Sequence, residues 1–219
     1  MKRGLADEFS GAYKRGSLLE RLIHIDATIN GSLMHEDALV FSALLQQQSV
    51  MAVSGDLLEI GTLNGKTAAV LGLNLAPGER LHVCDLFDVE IPGANDAYKR
   101  HVSEADVRRN VLAATGMDET RLVTHAIDSR RLSFAPASLR FVHVDGDHRF
   151  DGCLQDLLNA WNWLAPCGLL AIDDYAHPDW PEVGPAADEF LKRRPEAGKV
   201  VDFNRRGAKG RKLVLAKRG

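Results

Sequence analysis

The chain has 219 residues, of which 45% are hydrophobic and 26% charged, and its formal net charge at pH 7 is −3. This profile is typical of a globular protein with one large domain, and it excludes a disordered or collagen-like chain. A membrane span is not expected, because no run of about 18 apolar residues occurs. Three scattered cysteines without a CxxC pair predict no disulfide framework and no zinc site, and the first residues lack the apolar core of a secretory signal, so a cytoplasmic location is expected.

The first 50 residues are predicted to form helices. Apolar residues at near-helical spacing indicate one or two helices within residues 1–34, at Leu18, Leu19, Leu22, Ile23, Ile25 and Ile29. A further helix is predicted over residues 35–50, with Leu39, Val40, Ala43 and Leu44 on its apolar face. We interpret residues 1–50 as a lid over the site or a contact in a homodimer, and residues 51–219 as the catalytic domain.

From residue 56 onward, short apolar runs alternate with helical windows, which predicts an α/β fold with a mostly parallel sheet. The seven predicted strands span residues 56–61, 80–86, 121–125, 139–145, 168–173, 199–203 and 212–216. Helices are predicted between them over residues 66–75, 105–115, 152–163 and 184–193. The last two strands are joined by a Gly/Arg-rich turn and predict a hairpin, so one strand near the end of the sheet runs antiparallel.

A glycine-containing loop follows the first predicted strand, in the segment Leu-Leu-Glu-Ile-Gly-Thr-Leu-Asn-Gly-Lys-Thr at residues 57–67. A loop that leads into a helix presents free N–H groups to an anionic or polar ligand. The spacing breaks the dinucleotide motif G-x-G-x-x-G and is one residue short of a P-loop. The pattern E-x-G-x-x-x-G, formed by Glu59, Gly61 and Gly65, resembles the S-adenosylmethionine loop of the class I methyltransferases.

This resemblance implies a Rossmann-like fold with a seven-stranded sheet, helices on both faces, and S-adenosyl-L-methionine as cofactor. Asp85 ends the second strand, where a carboxylate can accept both ribose hydroxyls of a nucleoside. Thr67 is expected to bind the methionine carboxylate, and Asp128 or Ser129 the adenine amine. The predicted cofactor-binding residues are Glu59, Gly61, Asn64, Gly65, Thr67, Asp85, Asp128 and Ser129.

Acidic residues end two further apolar strands, at Asp145 and at the pair Asp173–Asp174. Because ligands of parallel sheets bind beyond the carboxyl ends of the strands, these carboxylates are expected to converge beside the glycine loop. Gathered carboxylates repel one another, so a cation must balance them or their pKa values must rise. An all-oxygen cluster of this kind favours Mg²⁺, or Mn²⁺, over zinc.

The 28-residue spacing between Asp145 and Asp173 resembles that of the cation-dependent O-methyltransferases. Asp-Gly-Asp-His at 145–148, Asp-Asp-Tyr at 173–175, Trp-Pro-Glu-Val at 180–183 and Ala-Asp-Glu-Phe at 187–190 are closer to the macrocin-type branch than to the catechol and caffeoyl-CoA branch. The resemblance implies that Asp145, Asp173 and Asp174 hold the metal and that it binds two neighbouring oxygens of a small hydroxylated acceptor. His148 or Asp147 would then act as general base, and His148 is favoured.

Positive charge is concentrated near the end of the sequence, where residues 192–219 hold eleven Lys or Arg against two acids. Such asymmetry can indicate a nucleic-acid partner, but a solvated terminal hairpin is the favoured interpretation. The alternatives to a small-molecule O-methyltransferase are therefore a catechol-type enzyme, a nucleic-acid methyltransferase that uses this basic end, and a non-enzymatic S-adenosylmethionine-binding module.

Overall fold

The computed structural model describes residues 16–87, 103–205 and 207–219. The α-helices in these ranges are α1 (Leu18–Thr28), α2 (His35–Val50), α3 (Lys66–Gly72), α4 (Glu104–Thr115), α5 (Phe150–Trp163) and α6 (Val183–Arg193). The strands are β1 (Asp56–Ile60), β2 (Leu81–Asp85), β3 (Leu122–Ala126), β4 (Leu139–Val144), β5 (Leu164–Tyr175), β6 (Gly198–Asn204) and β7 (Arg211–Ala216).

The strands form one sheet in the order β3-β2-β1-β4-β5-β7-β6. The first five pair in parallel, whereas β7 runs antiparallel to both of its neighbours, β5 and β6. The predicted mostly parallel sheet with one antiparallel strand is therefore confirmed. The order reverses between β1 and β4, and ligands of open α/β sheets bind at such a switch point.

Each face of the sheet has its own hydrophobic core, because successive side chains of a strand point to opposite faces. Leu57 of β1 and Phe141 of β4 lie in the core covered by α1 to α4. Leu58 and Val142, one residue further along each strand, lie in the core under α5 and α6. The prediction of helices on both faces is confirmed.

The predicted apolar face of α2 is wrong. Leu39 is 46% exposed, whereas Ala38, Phe41 and Leu45 are buried against the sheet. The ring of Phe41 packs edge-on against Phe141, with 5.4 Å between the centroids. The predicted and the observed apolar faces of α2 are offset by one residue. The observed face is the one that buries the aromatic ring of Phe41 against Phe141.

The N-terminal helices share a core with the sheet. Leu22, Ile25 and Ile29 of the first helical segment are buried in the same cluster as Phe41, while Leu19 and Ile23 are exposed. Their role as a lid or dimer contact stays a prediction, and residues 1–15 lie outside the described residues. Among the helices that are described, none is both long enough and apolar enough to cross a bilayer.

Two boundaries differ from the predicted ones by three residues or more. The third helix stops at Gly72 rather than at residue 75, because the chain turns at Leu73–Leu75 to reach β2. Strand β5 begins at Leu164, four residues earlier than predicted, and its pairing with β4 shifts register between Leu139 and Phe141. The residues Pro166–Gly168, whose sequence is typical of a turn, lie within that irregular stretch. The sequence therefore predicts a strand that starts only at Gly168.

Candidate active site

The two glycines of the loop after β1 allow close packing of the chain against itself. Gly61 has φ +82°, and a Cβ there would lie 2.0 Å from the backbone oxygen of Asp145. Gly65, with φ +81°, begins α3 and faces Val111 of α4, whose Cγ2 would lie 2.9 Å from an added Cβ. These glycines therefore bring the glycine loop against the tip of β4 and against α4.

Asp85 fixes the shape of this loop. Its Oδ2 accepts hydrogen bonds from the backbone N–H groups of Thr62 at 2.9 Å and Leu63 at 3.0 Å. Its Oδ1 accepts one from Leu86 at 2.7 Å. Burial raises the pKa of Asp85, and the three N–H donors partly offset the rise. A carboxylate has about four acceptor positions, so one remains for a ligand such as the predicted ribose hydroxyl.

The remaining loop residues tie the glycine loop to the N-terminal helices. Asn64 donates from Nδ2 to the backbone oxygen of Asn30 at 3.0 Å. Lys66 Nζ lies 2.6 Å from Asp26 Oδ1 of α1 and also bonds the backbone oxygen of Gly31. Thr67, the predicted contact of the methionine carboxylate, is 8% exposed in the first turn of α3. The connection between α1 and α2 therefore lies directly against the loop.

Asp128 and Ser129 lie in the turn after β3. Asp128 accepts from the backbone N–H of Arg130 at 2.9 Å and pairs with the guanidinium of the same residue. The hydrogen bond to this guanidinium lowers the pKa of Asp128 to about 2, against a small effect of burial. An acceptor this strongly ionised at the sheet edge is compatible with the predicted contact to the adenine amine, which stays a prediction.

The predicted metal ligands do converge at the carboxyl ends of β4 and β5. Asp145, Asp174 and His148 each offer a donor atom within 4.8 Å of the other two, and so do Asp145, Asp173 and His143. Asp145 belongs to both groups and therefore lies at the centre of the cluster. The expectation that carboxylates of the two strand tips come together is confirmed, and two histidines join them.

His148 lies between two of these carboxylates. Its Nε2 is 3.2 Å from Asp174 Oδ2 and 3.4 Å from Asp145 Oδ1. Burial of the ring lowers its pKa, but the two carboxylates outweigh burial and raise the pKa to about 10. The imidazolium thus serves as their cationic partner as long as no other cation balances them.

Asp145 and Asp173 respond oppositely to the same surroundings. Burial and the neighbouring charge of Asp173 raise the pKa of Asp145 to about 6. Burial would raise the pKa of Asp173 as well, but Lys212 and His143 hold it well below its usual value. The pair therefore retains one firmly ionised carboxylate, at Asp173, beside one that is easily protonated.

A buried histidine connects this cluster with the glycine loop. His143 of β4 is fully buried, with Nδ1 3.2 Å from Glu59 Oε1 and Nε2 3.4 Å from Asp173 Oδ2. Burial lowers its pKa, but the two carboxylates outweigh burial and raise the pKa to about 9. Glu59 in turn accepts a hydrogen bond from the Thr62 hydroxyl at 2.8 Å. Glu59, predicted as a cofactor residue, is 1% exposed, and the contacts described here are made within the protein.

Asp147, the second candidate base, points away from the carboxylate cluster. It accepts from the Arg149 backbone N–H at 3.0 Å and pairs with the Arg149 side chain. The hydrogen bond to this guanidinium lowers the pKa of Asp147, with burial acting weakly against it. Asp147 is paired with Arg149 whereas His148 contacts Asp145 and Asp174, so the geometry favours His148 as the base.

Aromatic residues after β5 differ in their relation to the site. The ring of Trp180 stacks on that of His148, with 4.3 Å between centroids and 29° between planes. Tyr175 instead donates its hydroxyl to Asp188 Oδ1 at 2.9 Å. Trp180 therefore lies beside the carboxylate cluster through its stacking on His148, while the Tyr175 hydroxyl is bound to α6.

The donor set suits a divalent cation that prefers oxygen. Mg²⁺ binds carboxylate oxygens at about 2.0–2.1 Å, so ligands on opposite sides of the ion are about 4.2 Å apart. Within each of the two groups the donor atoms lie within 4.8 Å of one another, which is close to that spacing. Asp145, Asp173 and Asp174 would supply the oxygens, with His148 beside them.

Sequence reasoning missed His143, Lys212 and the pair Asp37–Arg205. Lys212 and Arg205 were counted with the solvated basic end, yet they are 2% and 8% exposed. Lys212 bonds Asp173, and Arg205 Nε lies 3.2 Å from Asp37 Oδ1. A signal for Lys212 does exist in the sequence, because this lysine directly precedes the apolar run Leu213–Leu215 of a buried strand.

Comparisons with known proteins identify the family and the fold of the chain. A family described as "Methyltransferase domain" matches residues 58–175, more than half of the chain. The chain therefore belongs to this methyltransferase family, as the resemblance in the glycine loop predicted. No curated protein sequence matches the chain.

Solved structures share the fold at low sequence identity. The O-methyltransferase NovP has a TM-score of 0.63 and 17% identity over 83% of this chain and 79% of its own. An O-methyltransferase from Bacillus cereus, in complex with SAH, has a TM-score of 0.61 and 17% identity over 98% of this chain and 97% of its own. CalS11, a TDP-rhamnose 3′-O-methyltransferase, has a TM-score of 0.58 and 18% identity over 94% and 97%. The chain thus has the fold of O-methyltransferases.

Proposed function

We propose that this protein is an S-adenosylmethionine-dependent O-methyltransferase of the macrocin type, assisted by Mg²⁺ or Mn²⁺, which methylates a hydroxyl next to a second oxygen in a small molecule. The observation that carries the proposal is the convergence of Asp145 with Asp174 and His148, and with Asp173 and His143, at the carboxyl ends of β4 and β5. A protein of similar fold was solved in complex with SAH, which supports S-adenosylmethionine as the cofactor.

The chain's residues divide the reaction between them. The glycine loop, Asp85 and Asp128 would hold the cofactor, while Asp145, Asp173 and Asp174 would hold the cation. The cation would lower the pKa of the acceptor hydroxyl when bound. With Asp145 and Asp174 balanced by the cation, His148 would be neutral, and its Nε2 would take the hydroxyl proton as the O–CH₃ bond forms and the S–CH₃ bond of the sulfonium breaks, which leaves S-adenosylhomocysteine. Trp180 stacks on His148 and keeps its ring directed at the carboxylates.

A sugar or natural-product diol is the acceptor class that we propose. Two adjacent oxygens can share one cation, and CalS11, which has a similar fold, acts on TDP-rhamnose. The basic end of the chain gives little support to a nucleic-acid acceptor, since at least four of its eleven Lys and Arg residues bind acids of the same chain. The pairs are Arg205–Asp37, Lys209–Asp179, Arg211–Asp202 and Lys212–Asp173.

Titration calorimetry tests the proposal directly. Mg²⁺ is added to the protein saturated with S-adenosylhomocysteine, with and without catechol as a diol probe, and compared with Asp145→Asn. We expect the wild type to bind one Mg²⁺ and Asp145→Asn to lose this binding while it retains S-adenosylhomocysteine. A wild type that binds S-adenosylhomocysteine but no Mg²⁺, even with catechol present, contradicts the cation-assisted mechanism.

A further inference from the structure

Lys212 is a buried lysine that contacts one of the proposed metal ligands. It lies at the start of β7, is 2% exposed, and bonds Asp173 Oδ2 through Nζ. Neighbouring Leu213 and Val214 are fully buried, so the ammonium is enclosed by the sheet and not by water. A lysine is rarely buried to this extent unless it is paired, and here its partner belongs to the carboxylate cluster.

The charges around Lys212 alternate in sign. On one side is Asp173, followed by His143 at 3.4 Å and then Glu59 at 3.2 Å from the histidine. Asp37 at the start of α2, which pairs with Arg205 at 3.2 Å, interacts with Lys212 by charge. Asp145 also acts on Lys212 by charge. Burial would lower the pKa of Lys212, but these carboxylates outweigh it and raise the pKa.

We propose that Lys212 is a positioning residue that acts as a built-in counter-cation: it holds Asp173 and removes one negative charge from the carboxylate cluster, which weakens its affinity for a divalent cation. The inference rests on the proposed function, because it concerns the same carboxylates. Asp145 and Asp174 then remain as the ligands whose charge is not already taken by a lysine.

The physical reason is electrostatic. Two like charges a few ångströms apart in a poorly solvated site interact much more strongly than they do in water. The Lys212 ammonium, fixed on Asp173, repels any divalent cation that shares this carboxylate. Removing the ammonium charge must therefore tighten divalent binding, whereas a lysine with a purely structural role would leave the binding constant unchanged or weaken it through disorder.

The test compares four proteins loaded with S-adenosylhomocysteine and titrated with Mg²⁺ by calorimetry at pH 8. Lys212→Met removes the charge and keeps an unbranched side chain, while Lys212→Gln keeps a hydrogen-bond donor and serves if the first variant does not fold. Lys209→Met is the control, since it removes an exposed lysine from the same hairpin, paired with Asp179 at 2.6 Å. Circular dichroism and thermal melts establish that each variant folds.

We expect Lys212→Met, or Lys212→Gln, to bind Mg²⁺ at least tenfold more tightly than the wild type, and Lys209→Met to stay within threefold of it. If the Lys212 variants bind Mg²⁺ and the wild type does not, the result supports the role of Lys212 as a counter-cation and counts against a metal in the native site. Equal or weaker binding by folded Lys212 variants overturns the inference while leaving the proposed function intact. If none of the four proteins binds Mg²⁺, both the inference and the proposed function are overturned.

Discussion

His148 is the side chain on which the proposed chemistry depends most. It contacts Asp145 and Asp174 through one ring nitrogen and Trp180 through its face. Asp147, one residue earlier, is held by Arg149 outside this cluster. The two candidate bases therefore have separate environments, and mutation can separate their roles.

We expect His148→Gln to lower kcat by about 10²–10⁴-fold, which is the range for loss of a general base. Asp147→Asn is the matched control and is expected to lower kcat less than about tenfold. Steady-state rates give the comparison, and a calorimetric titration checks that both variants still bind S-adenosylhomocysteine. The reverse order of effects would assign the proton transfer to Asp147.

Asp156 gives a pH-dependent test of a single buried carboxyl. It is fully buried in α5, and burial, with smaller effects of Asp147 and Asp128, raises its pKa to about 6. Because the folded-state pKa lies above the ordinary value of 3.8 for this carboxyl, the stabilising contribution is complete below about pH 4 and is lost as pH rises through 6.

Asp156→Asn is therefore expected to be more stable than the wild type by about 3 kcal/mol at pH 8, since each pKa unit corresponds to about 1.4 kcal/mol. The difference should shrink toward zero near pH 4. Urea unfolding at several pH values measures it. A difference that does not change between pH 4 and pH 8 would contradict the raised pKa.

The turn between β1 and α3 depends on glycine for a reason internal to the fold. Gly61 and Gly78 have nearly the same backbone angle, φ +82° and +84°. An added Cβ would meet the Asp145 backbone oxygen at 2.0 Å in the first case and no atom within 4 Å in the second. The two positions thus share conformational strain and differ only in close contact.

Gly78→Ala is expected to cost about 1 kcal/mol of unfolding free energy, the penalty of a left-handed alanine. Gly61→Ala adds a backbone clash at the tip of β4, and we expect at least about 2 kcal/mol more. Chemical denaturation of both variants provides the numbers. Equal losses would mean that the loop and β4 do not approach each other closely.

Helix α2 carries a prediction about which of its faces supports the sheet. Phe41 is fully buried against Phe141 and His143, while Leu39 on the same helix is 46% exposed. Phe41→Ala is expected to cost about 3–5 kcal/mol, and Leu39→Ala less than about 0.5 kcal/mol. Urea unfolding of the two variants checks this, and a large loss for Leu39→Ala would restore the face predicted from the sequence.

For the molecule as a whole, the sequence was most informative where one signal is local and repeated. Strand–loop–helix alternation predicted the sheet, and acids at strand ends predicted the cluster of Asp145, Asp173 and Asp174, because parallel strands end at one edge. Lys212 and His143 escaped prediction, since their roles depend on which strands become neighbours. The antiparallel insertion of β7 beside β5 brings Lys212 to Asp173, and only the folded sheet reveals that contact.

The same neighbour relations account for the basic end of the chain. The sequence favours a solvated hairpin here, yet Arg205 and Lys212 are buried and pair with Asp37 and Asp173, while Lys209 and Arg211 pair with Asp179 and Asp202. Positive charge at this end therefore balances acids near the site and along the hairpin. This distribution favours a small acceptor over a polyanion.

Methyl transfer with and without a chelator tests the central claim most directly. Labelled S-adenosylmethionine is supplied with catechol or TDP-rhamnose, first with EDTA and then with excess Mg²⁺, and the position of the label is read by mass spectrometry and NMR. We predict transfer to an oxygen that stops in EDTA and returns with Mg²⁺ or Mn²⁺. Transfer that continues unchanged in EDTA, or a label on nitrogen, would contradict the account.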